Sequence, residues 1–275
     1  MSLTPLPSSG PIGASQINVM TEKTSNATFK ASNIATRHLA GKLSGAISWS
    51  DARGKTGVVL SNLVAHLDCG YSSSYPGSGT TWTDMTGNGN TGTLVTGASY
   101  NSANKGSIAF NGSTGGVALP HNSFWTTSNA SNFSFSVWVN ASTAPAGGMV
   151  FSHQRCNTPA FQIFISTTYA SFRLENVSAV YSVNITGAWH HMVGTYNGST
   201  RLVKLYVDGS TVATATATDN WSMTAGGSDL WLGRRTWCGA TNEIAGKIAS
   251  FSFHQRTLTD AEVAKTYHTS VARFA

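Results

Sequence analysis

From Val58 onward the chain alternates between apolar and polar positions. Residues 132–139 read NFSFSVWV, which puts Phe133, Phe135, Val137 and Val139 on one side of an extended segment. A period of two is that of a strand with one buried face. Phe161, Ile163 and Ile165 repeat the pattern. Residues 202–207 and 211–216 flank Asp208-Gly209. That dipeptide tolerates the positive φ of a tight turn and predicts a hairpin. Roughly a dozen such runs follow one another at the spacing of a two-sheet sandwich. Near the end, Thr259-Asp260-Ala261-Glu262 has the form of a capping box and predicts a short helix carrying Val263 and Tyr267.

Residues 1–57 have a different texture. Ser15 is expected to cap a turn through Met20, Ser32 or Asn33 to open another through Leu39, and Ile47 and Trp49 to lie in a third piece that ends at Gly54. Pieces this short are not stable alone in water. Their apolar residues, Ile17, Ile34, Leu39, Ile47 and Trp49, call for a partner, for the main domain or for a small core of their own. The expected organisation is an attachment segment with short helices over 1–57 and an all-β antiparallel sandwich over 58–275.

Composition narrows the class. Charged residues make up 10% of the chain, against 28 glycines, and polarity comes mainly from Ser, Thr and Asn. So little charge argues against a solvated helix or a disordered tail. The net charge of +6 comes from scattered Lys and Arg, with no basic run or nucleic-acid motif, so no nucleic-acid partner is expected. MSLTPLPSSG lacks the basic and apolar regions of a secretory signal, and no apolar run reaches membrane-spanning length. Synthesis in a cytoplasm without a membrane partner is the expectation. Triplets such as Asn132-Phe133-Ser134 then arise by chance rather than as glycosylation sites. Cys69 sits beside an apolar strand and is expected to be buried. Cys156 and Cys238 lie in polar segments, where both a disulfide between them and free thiols remain open.

Several blocks, taken in order, resemble a known family. They are LVAHLDCG, TTWTDMTGNGNTGTL, GSIAFNGSTGGVALP, FSFSVWV, AWHHMVGTYNG, LYVDGSTV, LWLGRR and EIAGKIASFSFHQRTLTDAEV. The set is similar to a laminin G-like, concanavalin A-like lectin/glucanase domain and spans most of residues 60–268. The resemblance implies a jelly-roll sandwich. A second resemblance lies in LPSSGPIGASQI and ATRHLAGKLSGAISWSDARGKTG, which look like the start of bacteriophage tail and other virion structural proteins. Together the two imply a virion surface protein that displays a lectin-like domain for host-glycan adhesion or particle decoration. They also imply virion partners bound through residues 1–57 and a homo-oligomer, by analogy a trimer. The alternatives are a cellular carbohydrate-binding adhesin and, less favoured, a glycoside hydrolase.

The chemistry of individual residues bears on that choice. Glucanases of this family use carboxylates from a Glu-x-Asp-x-x-Glu-like strand, and no such run is present. Asp208, Asp229, Asp260 and Glu262 read as turn or helix-start residues. Glu175 and Glu243 remain as possible partners across a sheet, so no catalytic residue is assigned. His190 and His191 follow Trp189 in a block that the resemblance makes a structural strand, with one ring inside and one outside. No further cofactor is expected beyond calcium, for which Asp84 and Asn88, with Asn90 nearby, offer hard oxygen ligands. Family members often carry two acidic residues where this chain has Ser113, Thr114, Gly115 and Gly116, which weakens charge compensation for a cation. The alternative reading of Asp84 and Asn88 is that they cap turns. Arg155, Arg234, Arg235 and Trp237 occupy two segments that a sandwich could bring together. Guanidinium groups flanking an aromatic face suit an acidic sugar or a protein partner. Tyr71, Tyr75 and Trp82 form another aromatic segment, expected to be structural.

Overall fold

The computed structural model describes residues 59–275 except 126, 144–147, 156–157, 219, 221–229 and 238–239; at 143, 154–155, 158–160, 236–237 and 240–241 only the backbone is described. The expected attachment segment over 1–57 therefore lies outside the described residues, as do Cys156, Cys238 and Asp229.

Strands are numbered in chain order. The first sheet runs β14 (Ser210–Thr216), β13 (Leu202–Val207), β12 (Trp189–Asn197), β7 (Asn132–Thr143), β18 (Ala245–His254), β5 (Ser107–Asn111) and β4 (Ala98–Asn101), with β1 (Leu63–Asp68) also paired to β18. The second runs β11 (Val177–Tyr181), β10 (Ala170–Leu174), β9 (Thr158–Ile165), β8 (Gly148–Arg155), β15 (Leu230–Leu232), β6 (Gly116–Leu119), β3 (Gly92–Val95) and β2 (Thr81–Trp82). Each pairing between these strands is antiparallel. A short hairpin of β16 (Thr236–Trp237) and β17 (Ala240–Thr241) follows β15. Helix α1 (Asp260–Ser270) begins at the expected capping box: Thr259 accepts from the Glu262 backbone, and the Glu262 side chain accepts from Thr259. Among the described residues no helix is long and apolar enough to cross a membrane.

The two sheets enclose an aromatic core in which the alternation is realised residue by residue. Phe133, Phe135, Val137 and Val139 of β7 face Phe151, Phe161, Ile163, Ile165 and Phe172 of the second sheet, and all are buried. Phe135 lies 4.2 Å from Phe151 and 4.9 Å from Phe172 by ring centroids, both edge-on. Phe133 is 5.0 Å from Phe161. Edge-on pairs of this kind add about 0.5–1.5 kcal/mol each beyond the area they bury.

The other face of the first sheet is covered as well. Trp138 and His191, cross-strand neighbours on β7 and β12, lie under α1 and the residues after it. The Trp138 ring stacks on Phe274 at 4.1 Å, and its Nε1 donates to Ser270 Oγ at 2.9 Å. Val59 reaches the same face and packs with Val193, Tyr206, Leu258 and Val263. Its carbonyl accepts from His254 Nε2 at 3.0 Å. Val59, the first of the described residues, therefore lies on the outer side of the first sheet.

Candidate functional site

Among the described residues, no helix covers the outer face of the second sheet. There the strand registers assemble one cross-strand row from parts of the chain far apart in sequence. Ser178 pairs with Arg173, Arg173 with Gln162, Gln162 with Ser152, Ser152 with Trp231, and Trp231 with Ala118. The outward direction follows from the neighbours: Leu230 and Leu232 flank Trp231, Phe172 and Leu174 flank Arg173, and all four belong to the core. Trp231, Arg173 and Gln162 are partly exposed, whereas Ser152 is buried.

Ser152 is buried because the chain turns back over it. After β15, Gly233 donates to the Val150 carbonyl at 2.8 Å with φ 75°, a conformation that favours glycine. Arg234 then lies above Ser152, whose hydroxyl donates to its carbonyl at 3.0 Å. The Arg234 guanidinium stands 5.5 Å from the Trp231 ring, a cation–π arrangement. Its Nε forms a 3.4 Å ion pair with Glu243, whose side chain is 4% exposed. Arg235 follows on the same side. Burial and then the neighbouring Arg173 guanidinium hold it below the ordinary arginine range. Two like charges disfavour one another, and an anion between them would relieve that cost.

The sequence-predicted site residues fall in two places. Arg234 and Arg235 join the outer face just described. The β16–β17 hairpin lies against β8, so the strand ending in Arg155 and the strand ending in Trp237 are neighbours; the side chains of Arg155 and Trp237 lie outside the described residues. Sequence reading missed Trp231, Arg173 and Gln162. The local signal was available in Leu230-Trp231-Leu232 and Phe172-Arg173-Leu174, where a polar or amphipathic residue stands between two core residues.

Asp84 and Asn88 sit elsewhere, in the turn from β2 to β3. Asp84 Oδ1 accepts from the backbone N–H of His66 and of Thr86, each at 3.0 Å. Its Oδ2 accepts from Thr86 Oγ1 at 2.7 Å and from the Asn90 N–H at 3.1 Å. Asn88 and Asn90 direct their side-chain amides to the Val64 carbonyl at 3.1 and 2.6 Å. The four lone-pair positions of the carboxylate are thus occupied by donors, and a cation would have to displace some of them. This arrangement does not fit calcium without rearrangement. Among the described residues no group of three or more His, Cys, Asp or Glu side chains is placed to share a metal.

The remaining candidates are structural. His191 is buried under α1, on the side of the first sheet away from the inter-sheet core, with Nε2 2.7 Å from Ser136 Oγ. His190 points the other way, and its Nδ1 lies 2.7 Å from Asp208 Oδ2. Asp208 occupies the Asp-Gly turn with φ 51°, as that dipeptide predicts. Tyr75 and Trp82 are buried and Cys69 is a buried free thiol. Glu175 lies at the β10–β11 turn, past Leu174, whose register continues through Phe161 to His153. Glu243 is bridged to Met149. Its carboxylate pairs with Arg234, and the register sets Glu175 several residues and at least two strands away from it.

Residues 111–264, more than half of the chain, match the family model described as concanavalin A-like lectin/glucanases superfamily. The chain belongs to that superfamily. No curated protein sequence matches it. Solved structures share the concanavalin A-like fold at low identity. The binding domain of Paraclostridial Mosquitocidal Protein 1 aligns with a TM-score of 0.60 at 15% identity, covering 75% of this chain and 52% of that one. Domain 4 of AbnA, a GH43 extracellular arabinanase from Geobacillus stearothermophilus, in complex with arabinotriose, aligns at 0.56 and 19% identity, covering 74% and 97%. The binding domain of Botulinum Neurotoxin DC in complex with SialylT gives 0.56 at 15%, covering 76% and 52%. The chain thus spans about half the length of the two toxin domains it resembles.

Proposed function

We propose that this concanavalin A-like sandwich is a glycan-binding, non-enzymatic module of a bacteriophage-type virion protein, attached to the particle through residues 1–57. The observation that carries the reading is the outer row of the second sheet. Trp231 and Gln162 lie among Arg173, Arg234 and Arg235, and within that group Glu243 already pairs with Arg234. An indole stacks on the apolar face of a sugar ring, and guanidinium groups take a carboxylate or sulfate in bidentate geometry. An acidic surface glycan is the ligand class that matches. Solved structures of the same fold include toxin binding domains and a domain solved with arabinotriose, which supports a saccharide ligand.

Placement supports display. Val59 joins the sandwich on the outer side of the first sheet, and the candidate row lies on the outer side of the second. A sandwich held by its N-terminal segment would turn that row away from the particle. Virion proteins are the partners proposed for residues 1–57, and a homotrimer on the particle surface is the proposed assembly. Deletion of residues 1–57 is expected to leave a folded sandwich that no longer incorporates into particles; incorporation of the truncated chain would refute the attachment role.

The full chain is expected to bind acidic glycans on an array, and whole cells that carry them. Trp231→Ala and Arg235→Gln are each expected to weaken binding about tenfold or more. Absence of saturable binding by the folded protein would overturn adhesion and leave decoration of the particle. For the Asp84 turn, the proposal is a structural role without calcium, supported by its four donors. Adding EDTA is expected to leave the thermal midpoint unchanged, and a fall of several degrees would assign a cation to the turn.

A further inference from the structure

The sandwich opens along the edge where the chain passes from one sheet to the other. β3 ends at Val95 in the second sheet, β4 begins at Ala98 in the first, and Gly97, with φ 92°, makes the corner. The loop leading into β2 faces this corner. Between them is a cleft of about 640 Å³, lined by Tyr75 and by residues 77–80, 94–96 and 98–100. This volume is within the roughly 300–1,000 Å³ range of small-molecule sites.

The lining has a consistent chemistry. Among the described residues that line the cleft, none carries a charged side chain. Ser78, Thr80, Thr96 and Ser99 contribute exposed hydroxyls. Tyr100, partly exposed, stacks on the buried Tyr75 at 5.3 Å and gives the cleft its aromatic wall. The Tyr75 hydroxyl donates to the Gly79 carbonyl at 2.6 Å and so fixes the loop against that wall. Among the described residues β2 and β4 are terminal strands of their sheets, so each presents a backbone edge that a ligand could pair with. With two and four residues, they are too short to template a long added peptide strand. Hydroxyls, amides and an aromatic wall without charge complement a molecule that presents many hydroxyls and one apolar face.

We infer that this edge cleft is a second ligand site, one that takes a neutral saccharide, separate from the arginine-bearing face and independent of its function. The test is an NMR titration of the full chain with arabinotriose, maltotriose and cellotriose at millimolar concentration, repeated at high salt. Saturable shifts centred on residues 75–80 and 94–100, insensitive to salt, are expected with at least one of them. Thr96→Trp and Ser99→Trp are at exposed positions that tolerate substitution, and each fills the cleft. Each is expected to weaken binding about tenfold, while Arg235→Gln leaves it unchanged. Absence of saturable shifts with all three sugars overturns the inference, as does binding undiminished in both tryptophan variants. Shifts produced only by an extended peptide would assign the edge to strand addition instead. Loss through Arg235→Gln would place these sugars on the arginine face.

Discussion

Gly194→Ala is expected to destabilise the sandwich by about 3 kcal/mol or more, the upper end of what overpacking costs. Gly194 lies directly across from Phe135 in the β7–β12 register. A Cβ built on it would stand 2.1 Å from Phe135 Cζ and within 3 Å of two further ring atoms. The ring cannot swing aside, because Phe151 and Phe172 hold it edge-on at 4.2 and 4.9 Å. The glycine is therefore required by close approach. Phe135→Leu alone should cost roughly 1–2 kcal/mol for its smaller volume. The double variant should be more stable than the sum of the two single losses, by about 1 kcal/mol or more, because the shortened side chain makes room for the new methyl. Urea denaturation of the four proteins measures this cycle. Strict additivity would show that something other than the Phe135 ring excludes a side chain at 194.

How far the sequence reveals this architecture depends on whether the information is local. The inner face of β7 was legible because Phe133, Phe135, Val137 and Val139 alternate with polar residues. The Asp208-Gly209 turn and the Thr259–Glu262 cap were legible because each is a conformational requirement met within four residues. The opposite face of β7 was not. Trp138 and its neighbour Ser136 stand at positions the alternation marks as outward, yet both are buried, because α1 and Phe274 close over them from the far end of the chain. A period-two pattern reports that a face exists and does not say what covers it.

The candidate site shows the same division. Arg234, Arg235 and Trp237 attracted notice as a cluster in one segment. The row that gives two of them a context is built from Arg173, Gln162, Ser152 and Trp231, whose adjacency exists only through strand order β10-β9-β8-β15. Nothing in the spacing from 152 to 231 encodes that order. The donors around Asp84 are hidden in the sequence for a related reason. Its carboxylate looked available in sequence, whereas the fold brings His66 from β1 to take one of its lone pairs.

Mild acid is expected to destabilise this protein before most of its carboxylates are protonated. Burial lowers His191 and His254 from the ordinary 6.5 to about 4, and lowers His66 as well. For His254 the geometry gives the reason. Nε2 donates to the Val59 carbonyl, and Nδ1 is buried without a hydrogen-bond partner among the described residues, so a second proton finds no acceptor there. His191 Nδ1 is buried in the same way, while its Nε2 bonds Ser136. In the unfolded chain these rings protonate near 6.5 and in the folded one near 4, so the unfolded state binds more protons across that window. Their contribution to stability is complete above about pH 6.5, falls as pH drops towards about 4, and changes little below that. A displacement of this size corresponds to roughly 3 kcal/mol for each of the two rings. Together they represent a large share of the ~5–15 kcal/mol that holds a typical domain. Glu262 acts in a lower window. Burial opposes its charge, but the Arg256 hydrogen bonds and the Thr259 backbone outweigh that and hold it at about 2, so its contribution is lost as pH falls from about 4.5 towards about 2. Urea midpoints measured from about pH 7 to about pH 4.5 should therefore drop steeply. In His191→Gln, which keeps a hydrogen-bonding partner for Ser136 but cannot protonate, the drop should be smaller by about half. A wild-type midpoint that does not move across this range would mean that the rings under α1 gain access to water or to an acceptor when they charge.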